Sequence, residues 1–318
     1  MSVISELSQL KVTRGKTAQE RAQQRKENGR DNKAAYLFLI PWFIGLAVIT
    51  IGPMIASLYL SFTNYNLLQA PQWIGADNYI QMLGDDRLHN SIRVTLIYVF
   101  VGVPVQLIFA LVIALLLDRG MRGLSFYRSV FYLPSMIGGS VAIALLWRQI
   151  FGTEGLFNQI LRLFGIDSTT GWISDPKYAL WTVILLHVWT FGSPMVIFIA
   201  GLRQIPAMYY EAAAVDGASK WTRLIRITLP LLSPIIFFNL VLQLIGAFQS
   251  FTQAFVVSGG TGGPADSTLF YTLYLYQQGF GQFHMGYASA MAWLLVVIVG
   301  VLTAANFFVS KYWVFYDD

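Results

Sequence analysis

Residues 211–230 read EAAAVDGASKWTRLIRITLP, a polar and basic stretch between two long apolar segments of the chain. Its three alanines, 212–214, are strong helix formers with little bulk, so another surface can closely approach the backbone of this helix. Gly217 follows them and accepts a positive φ without strain, which ends a helix. Pro230 is expected to end a second helical piece and begin the next apolar helix. The stretch therefore predicts a short, bent, two-part helix that is exposed between two long apolar helices.

The composition is that of a membrane protein. Of the 318 residues, 56% are hydrophobic and only 12% are charged, and the mean hydropathy is +0.57. Soluble domains carry about 25% charged residues. A membrane-spanning helix needs about 20 apolar residues. Six stretches meet that requirement, and they predict an all-α membrane protein with six transmembrane helices, near 35–61, 92–117, 127–150, 178–201, 230–257 and 286–310.

The basic residues predict the orientation of these helices. With the N-terminus in the cytoplasm, 16 of the 21 lysines and arginines fall on the cytoplasmic side, which is the bias that membrane proteins show. Both termini and the loop 205–230, called the EAA loop below, are then cytoplasmic. Residues 1–33 are predicted to form a cytoplasmic tail and residues 34–318 the transmembrane domain. The loop 258–267, SGGTGGPADS, has no basic residue and is expected to be an external connection that is flexible, with contact to a substrate-delivery protein as the alternative.

Seven positions of the EAA loop follow the spacing EAA, three residues, Gly, nine residues, I-x-LP. This pattern resembles the cytoplasmic coupling loop in the permease subunits of bacterial binding-protein-dependent ABC importers, and among these the carbohydrate permeases. The resemblance implies the type I importer permease architecture and a loop that docks into a groove on a separate ATP-hydrolysing subunit. The implied ATPase-coupling residues are Glu211, Ala212, Ala213, Asp216, Gly217, Ile227, Leu229 and Pro230.

A second resemblance lies in residues 128–151, RSVFYLPSMIGGSVAIALLWRQIF. An arginine three residues before F-x-LP, followed by tryptophan and then I-F, is similar to the corresponding segment of sugar permeases. Gly138 and Gly139 in this segment also permit close packing of helices in lipid. This resemblance points to the carbohydrate branch of the family, and the cargo expected for the chain is a carbohydrate, in particular an oligosaccharide.

The resemblance implies the partners and the mechanism. The partners would be a second related permease, two ATP-binding cassette subunits, a soluble substrate-binding protein and the carbohydrate, in the bacterial cytoplasmic membrane, with transport by alternating access. This chain is expected to bind no cofactor or metal and to have no enzymatic activity, with ATP and Mg²⁺ on the ATPase subunits. Gly15-Lys16-Thr17 ends like a phosphate loop but has Leu10 where that loop needs glycine. Nucleic acid is not an expected partner, because the basic residues lie at the ends of spans.

Two alternatives remain open at this point. A non-sugar cargo, such as a phosphorylated polyol or a polyamine, fits the same family. A secondary transporter driven by protons or sodium is the other alternative, but it predicts carboxylates within the membrane. No Asp or Glu lies inside any of the six predicted spans.

Polar residues within the spans are the candidates for the substrate path, because each is costly there unless it faces protein or water. In the fifth span they recur at steps of four, three, four and three from residue 239, which predicts one helical face. Amides beside aromatic rings suit neutral polyols, although hydrogen bonding between packed helices explains the same residues. The candidate path residues are Asn239, Gln243, Ser250, Gln253, His187 and Trp293, and Gly246 lies on the same face.

Overall fold

The computed structural model describes residues 36–118 and 123–315, so the predicted tail of residues 1–33 lies outside the described residues. The chain divides into two compact units, Met1–Ser57 and Leu58–Asp318. The described part of the first unit is helical throughout. The second unit contains every other helix discussed below.

The described chain is almost entirely helical. Two two-residue strands, β1 (Thr63–Asn64) and β2 (Gln72–Trp73), form a small antiparallel pair in which Thr63 lies opposite Trp73. In chain order the helices are α1 (Tyr36–Ser61), α2 (Asp77–Leu83), α3 (Asp86–Leu117), α4 (Leu124–Ile137), α5 (Val141–Ile150), α6 (Leu156–Leu163), α7 (Ala179–Trp189), α8 (Gly192–Leu202), α9 (Ala207–Val215), α10 (Lys220–Phe248), α11 (Thr252–Val257), α12 (Tyr271–Tyr276) and α13 (Met285–Ser310).

Within the described residues, four helices are long and apolar enough to cross a membrane: α1, α3, α10 and α13. Two further pairs qualify only together. The pair α4–α5 bends by 97° and the pair α7–α8 bends by 41°. The described chain therefore has four candidate spans, or six if each bent pair forms one span. The third predicted span is not the straight helix that its apolar run indicates.

The fifth predicted span, 230–257, is wrong at both ends. Helix α10 begins at Lys220, where the side chain of Ser219 caps its first turn by accepting a hydrogen bond from the Thr222 N–H, and it runs through Pro230 without a break. The helix then stops at Phe248, and α11 begins after a short interruption. Pro230 therefore lies inside a helix and does not start one.

Widened turns explain how two helices tolerate proline in their interior. The N–H of Gly52 bonds to the carbonyl of Ala47, and the N–H of Leu229 bonds to that of Leu224, five residues back in each case. A proline follows directly both times. Proline lacks an N–H, and its ring clashes with the carbonyl four residues back, so a π-helical turn relieves the clash without ending the helix.

The core of the second unit is built around α3, which packs against α7, α8, α10 and α12. Its inner face carries small and branched residues that are fully buried, namely Val99, Val103, Ala110 and Ala114. Helix α4, in contrast, has no buried residue. The larger helices thus surround α3 and leave other apolar helix faces uncovered within this chain.

A short segment that follows α1 is anchored to the end of that helix. The side-chain amide of Asn78 on α2 donates hydrogen bonds to the carbonyls of Ser61 and Thr63, at 2.8 and 3.0 Å. Asn78 is buried, so these bonds are shielded from water.

Candidate functional site

The EAA loop folds as a helix, a sharp turn and a second helix, as its sequence predicts. Helix α9 ends in a left-handed glycine, Gly217, at φ +72°. The N–H of Gly217 bonds to the Ala214 carbonyl and the N–H of Ala218 to the Ala213 carbonyl, at 3.1 and 2.9 Å. This pair of bonds is a Schellman motif, which satisfies the last carbonyls of a helix.

The tip of this loop is exposed and partly apolar. Val215 is 88% exposed, Trp221 69% and Met208 66%. Such residues clustered on one short loop mark a contact surface. The predicted coupling residues fall into two groups. Glu211, Ala212, Asp216 and Gly217 are exposed and Ala213 is half-buried at the tip, whereas Ile227, Leu229 and Pro230 are half-buried inside α10.

Hydrogen bonds hold the two arms of the loop together. The Tyr210 hydroxyl on α9 and the Thr228 hydroxyl on α10 lie 3.0 Å apart. The guanidinium Nε of Arg223 donates to the Ala218 carbonyl at 2.9 Å. These two hydrogen bonds connect the exposed tip of the loop to α10. The motif pattern contained no signal for Tyr210, because its partner is 18 residues away.

A second feature lies at the interruptions of the bent spans, where α4 meets α5 and α7 meets α8. A Cβ on Gly138 would collide with the Thr190 side chain, so these two interruptions touch. The Ser135 hydroxyl donates to the Thr190 carbonyl at 2.8 Å and accepts from the Ser193 N–H at 2.9 Å. The carbonyl and N–H groups that a broken helix frees are thus satisfied by side chains.

The interruption between α10 and α11 joins the same place. The Gln253 amide donates to the Gly138 carbonyl at 3.5 Å, and the Ser250 hydroxyl donates to the Gln253 carbonyl oxygen at 3.2 Å. Tyr98 on α3 donates to the Ser250 hydroxyl at 3.4 Å. Three interrupted helices therefore meet at one cluster, called the junction below, formed by Ser135, Gly138, Thr190, Ser250 and Gln253.

Two polar side chains beside the junction keep atoms without a partner in the described residues. The Gln106 amide donates to the carbonyls of His187 and Thr190, yet its own Oε1 is buried and unpaired. The Nε2 atom of His187 is also buried and unpaired, and its ring lies 5.1 Å from the ring of Tyr98. Buried polar atoms of this kind need water or a polar ligand.

The structure does not place all the candidate path residues together. Ser250 and Gln253 lie beyond the end of α10, so the prediction of one continuous helical face from residue 239 to 253 is wrong. Asn239 bonds to the Ile235 carbonyl of its own helix at 3.1 Å. Gln243 and Trp293 are half-buried and take no part in the hydrogen bonds of the junction. Of the six candidates, Ser250 and Gln253 lie in the junction and His187 lies beside it.

Comparison with known proteins identifies the family. The model of the family described as binding-protein-dependent transport system inner membrane component matches residues 87–312. The chain belongs to this family. The permease is 54% identical to a probable ABC transporter permease protein, YesP, of Bacillus subtilis, over 91% of this chain and 94% of that protein. It is 30% identical to the lactose transport system permease protein LacF of Rhizobium radiobacter, over 87% of this chain and 93% of that protein.

The fold is also that of a solved transporter. A chain in the crystal structure of a bacterial alginate ABC transporter, in complex with an alginate pentasaccharide-bound periplasmic protein, superposes with a TM-score of 0.77. The match covers 90% of the permease and 96% of that chain at 21% sequence identity. The permease is therefore a multi-pass membrane protein with an ABC permease fold.

A further polar cluster of the permease, around Asp85, was not predicted from the sequence. The carboxylate of Asp85 accepts hydrogen bonds from the hydroxyls of Tyr287 and Tyr274, at 2.6 and 2.7 Å, and from the Leu88 N–H. Burial raises the pKa of the Asp85 carboxyl, but these hydrogen bonds and one from the Arg87 N–H outweigh burial and hold the pKa below its usual range. The only signal in the sequence was an Asp that precedes a helix.

The same cluster fixes the glycine-rich loop 258–267, which was expected to be flexible. Arg87 donates two hydrogen bonds of 2.9 Å to the Asp266 carboxylate, and its guanidinium lies 5.4 Å from the centre of the Tyr274 ring. Asn90 donates to the Asp266 carbonyl at 3.0 Å. A bidentate arginine–carboxylate pair has a defined geometry, so this end of the loop is held against α3.

Proposed function

We propose that the permease is one membrane subunit of an ATP-driven importer for a carbohydrate, in particular an oligosaccharide. The observation that carries this proposal is the EAA loop, a tight turn with an exposed and partly apolar tip at the beginning of α10. Relatives of the permease support a carbohydrate as the cargo. They include permease proteins for lactose and for arabinooligosaccharides, both 30% identical to this chain.

A phosphorylated polyol is the second candidate cargo. An sn-glycerol-3-phosphate transport system permease protein of Agrobacterium fabrum is 33% identical over 87% of this chain. Sequence identity alone does not separate it from the sugar relatives. An ion-coupled secondary transporter is not favoured, since the chain belongs to a binding-protein-dependent family.

The proposed topology has six spans, with the bent pairs α4–α5 and α7–α8 counted as one span each. Both termini and the EAA loop would lie in the cytoplasm, and residues 1–33 would form a tail before the transmembrane domain of residues 34–318. The distribution of basic residues supports this orientation. The membrane is then the bacterial inner membrane.

The proposed complex contains a second related permease, two ATP-binding cassette subunits and a soluble substrate-binding protein. Membership of a binding-protein-dependent transport family supports these partners, and the uncovered apolar faces of α4 and of the C-terminal half of α13, with exposed residues such as Val301 and Phe307, leave room for a second permease. ATP and Mg²⁺ would bind the cassette subunits, and this chain would bind no cofactor and catalyse no reaction.

In the proposed mechanism, closure of the ATPase pair moves the exposed tip of the EAA loop, and the contacts between α9 and α10 carry that movement into the membrane. The exposed coupling residues, from Glu211 to Gly217, would contact the ATPase. Ile227, Leu229 and Pro230 would act by positioning the loop on α10. Reversal of a two-state population from 1:99 to 99:1 needs a difference in binding free energy of about 5.5 kcal/mol between the two states. A rigid docked loop can couple that difference to the membrane helices, whereas a mobile loop cannot.

The junction is the proposed contact point for the cargo. Transporters commonly bind their substrates where interrupted helices meet within the membrane. Ser250, Gln253 and the unpaired Nε2 of His187 would bind sugar hydroxyls, with the ring of Tyr98 beside them. Asn239, Gln243 and Trp293 stay predictions for other points of the path.

The test is uptake by the reconstituted importer. Membranes would be solubilised gently, the tagged permease purified and its companions identified by mass spectrometry. Recovery of a cassette ATPase and a second permease, followed by oligosaccharide uptake that stops without ATP, is the expected result. Uptake that continues without ATP and stops when the proton gradient is dissipated would refute the proposal.

A further inference from the structure

An open groove lies beside the EAA loop, between α9, the end of α3 and the first turns of α10. Its volume is about 380 Å³, and its apolar lining includes Leu115, Leu224 and the ring of Trp221. Small-molecule sites occupy about 300–1,000 Å³. The groove is therefore large enough for part of an organic ligand.

Two cations line the same groove. Lys220 and Arg223 form part of its wall. In the described ranges, ion pairs involve only Arg87, Arg162 and Arg203, so no described carboxylate neutralises this pair. Arg223 uses its Nε to bind the Ala218 carbonyl, which fixes the guanidinium at the groove. A ligand for this site needs an anionic group next to an apolar one.

The position of the groove decides which kind of ligand fits. Leu115 lies two residues before the end of α3, and Leu224 lies in the first turns of α10, so the groove faces the ends of two membrane-spanning helices. Tryptophan and basic residues occupy this level of the membrane, between headgroups and acyl chains. A carboxylate from a soluble protein would satisfy the cations and leave the apolar floor of the groove empty.

We infer that the groove binds one anionic phospholipid. The phosphate would contact Lys220 and Arg223, and an acyl chain would pack on Leu115, Leu224 and Trp221. The inference rests on the proposed function in one respect: the proposed orientation would place the bound lipid in the cytoplasmic leaflet of the membrane. The bound lipid would brace the EAA loop against the end of α3.

The test is lipid retention by the purified permease. The full-length chain would be exchanged into mixed phosphatidylglycerol and phosphatidylcholine nanodiscs, extracted and examined by native mass spectrometry. We expect one retained phosphatidylglycerol and no preference for phosphatidylcholine. The Lys220→Gln variant should retain the lipid about fivefold more weakly, and the Lys220→Gln/Arg223→Gln variant about thirtyfold more weakly.

Arg226→Gln is the matched control, because Arg226 is an exposed cation in the same turn of α10 but does not line the groove. It should retain the lipid as the wild type does. Equal weakening by Arg226→Gln, or full retention by Lys220→Gln, would overturn the inference. So would complete loss of the lipid when the ATPase subunit binds, since the groove would then belong to that interface. Failure of ATP-dependent uptake would refute the proposed function and leave the lipid count unchanged.

Discussion

At the scale of single residues, Gly217 is the most sensitive position of the EAA loop. A Cβ there would meet nothing within 4 Å, so a substitution acts only through the backbone, which has φ +72°. Left-handed backbone costs an ordinary residue about 1–2 kcal/mol, and a β-branched residue is the least able to adopt it. Gly217→Val should therefore displace the loop and lower uptake about tenfold, since ~1.4 kcal/mol corresponds to that factor. The measurement is the initial rate of ATP-dependent uptake.

Gly217→Asn is the control for this prediction, because asparagine tolerates the left-handed conformation. It should keep most of the uptake, and both variants should insert into the membrane at wild-type levels. Equal loss of uptake in the two variants would show that any side chain at position 217 disrupts the loop, whatever backbone conformation it tolerates.

Asp85 gives the permease a pH-dependent contribution to stability. Its pKa is lower in the folded state than in the unfolded state, where an Asp has a pKa of about 3.9. The contribution is therefore complete above the unfolded pKa and is lost as pH falls through the folded pKa. The unfolding temperature of the purified permease should be steady from about pH 5 to 7 and fall below about pH 4.

Asp85→Asn should lower the stability at neutral pH by about 1 kcal/mol, because neutral hydrogen bonds replace charge-assisted ones at a partly exposed site. Part of the acid-induced loss should then disappear. Asp86→Asn removes the same charge from an exposed neighbour and should leave that acid-induced loss in place. An identical pH profile for wild type and Asp85→Asn would contradict the role of this carboxylate.

At the scale of helices, the contact between α4 and α8 depends on Gly192. A Cβ there would lie 2.5 Å from the Phe131 carbonyl oxygen and 2.7 Å from Tyr132 Cα, and backbone atoms cannot move aside cheaply. Gly192→Ala should destabilise the permease by about 1–3 kcal/mol. Thermal unfolding in detergent measures this effect.

Gly246 provides the comparison, since a Cβ there would have no atom within 4 Å and the residue lies inside α10. Gly246→Ala should stabilise the permease by about 0.5–1 kcal/mol, because alanine is the better helix former. If both alanine variants shift the unfolding temperature in the same direction, close packing does not explain why residue 192 is a glycine.

The sequence predicted where helices lie better than where they break. Where the length of an apolar run alone sets the ends of a helix, the sequence predicts those ends well. Helix α13 begins and ends within one residue of the prediction. Gly138 and Gly139 were interpreted as permitting close helix packing, and the approach of Thr190 to Gly138 confirms this for Gly138, but the 97° bend at these glycines was not predicted. The end of α10 at Phe248 has no Gly or Pro signal; the polar groups of Ser250 and Gln253 find partners on other helices instead.

At the scale of the whole molecule, the proposed orientation can be tested directly because the chain has no cysteine. Single cysteines would replace Val215 in the EAA loop and Leu68 in the loop after α1, which are 88% and 86% exposed. A membrane-impermeant maleimide should label Leu68→Cys in spheroplasts and Val215→Cys only in inverted vesicles. The opposite pattern would reverse the orientation.

Contacts between distant parts of the chain were beyond prediction from one sequence. Asp85 and Tyr287 are 202 residues apart, and Tyr98 and Ser250 are 152 apart. A motif such as EAA-G-I-x-LP is local, so its residues could be identified before the structure was known. The junction depends on how three interrupted helices come together, and no local pattern encodes that arrangement.

The junction also makes the permease modular. Thr190 and Gln253 both contact Gly138, and the three residues come from three different interrupted helices, so these interruptions lie at one level. A chimera joined at that level would take its external halves from one homologue and its EAA-loop halves from another while preserving most contacts within each half. Cargo preference and choice of ATPase could then be inherited from different parents.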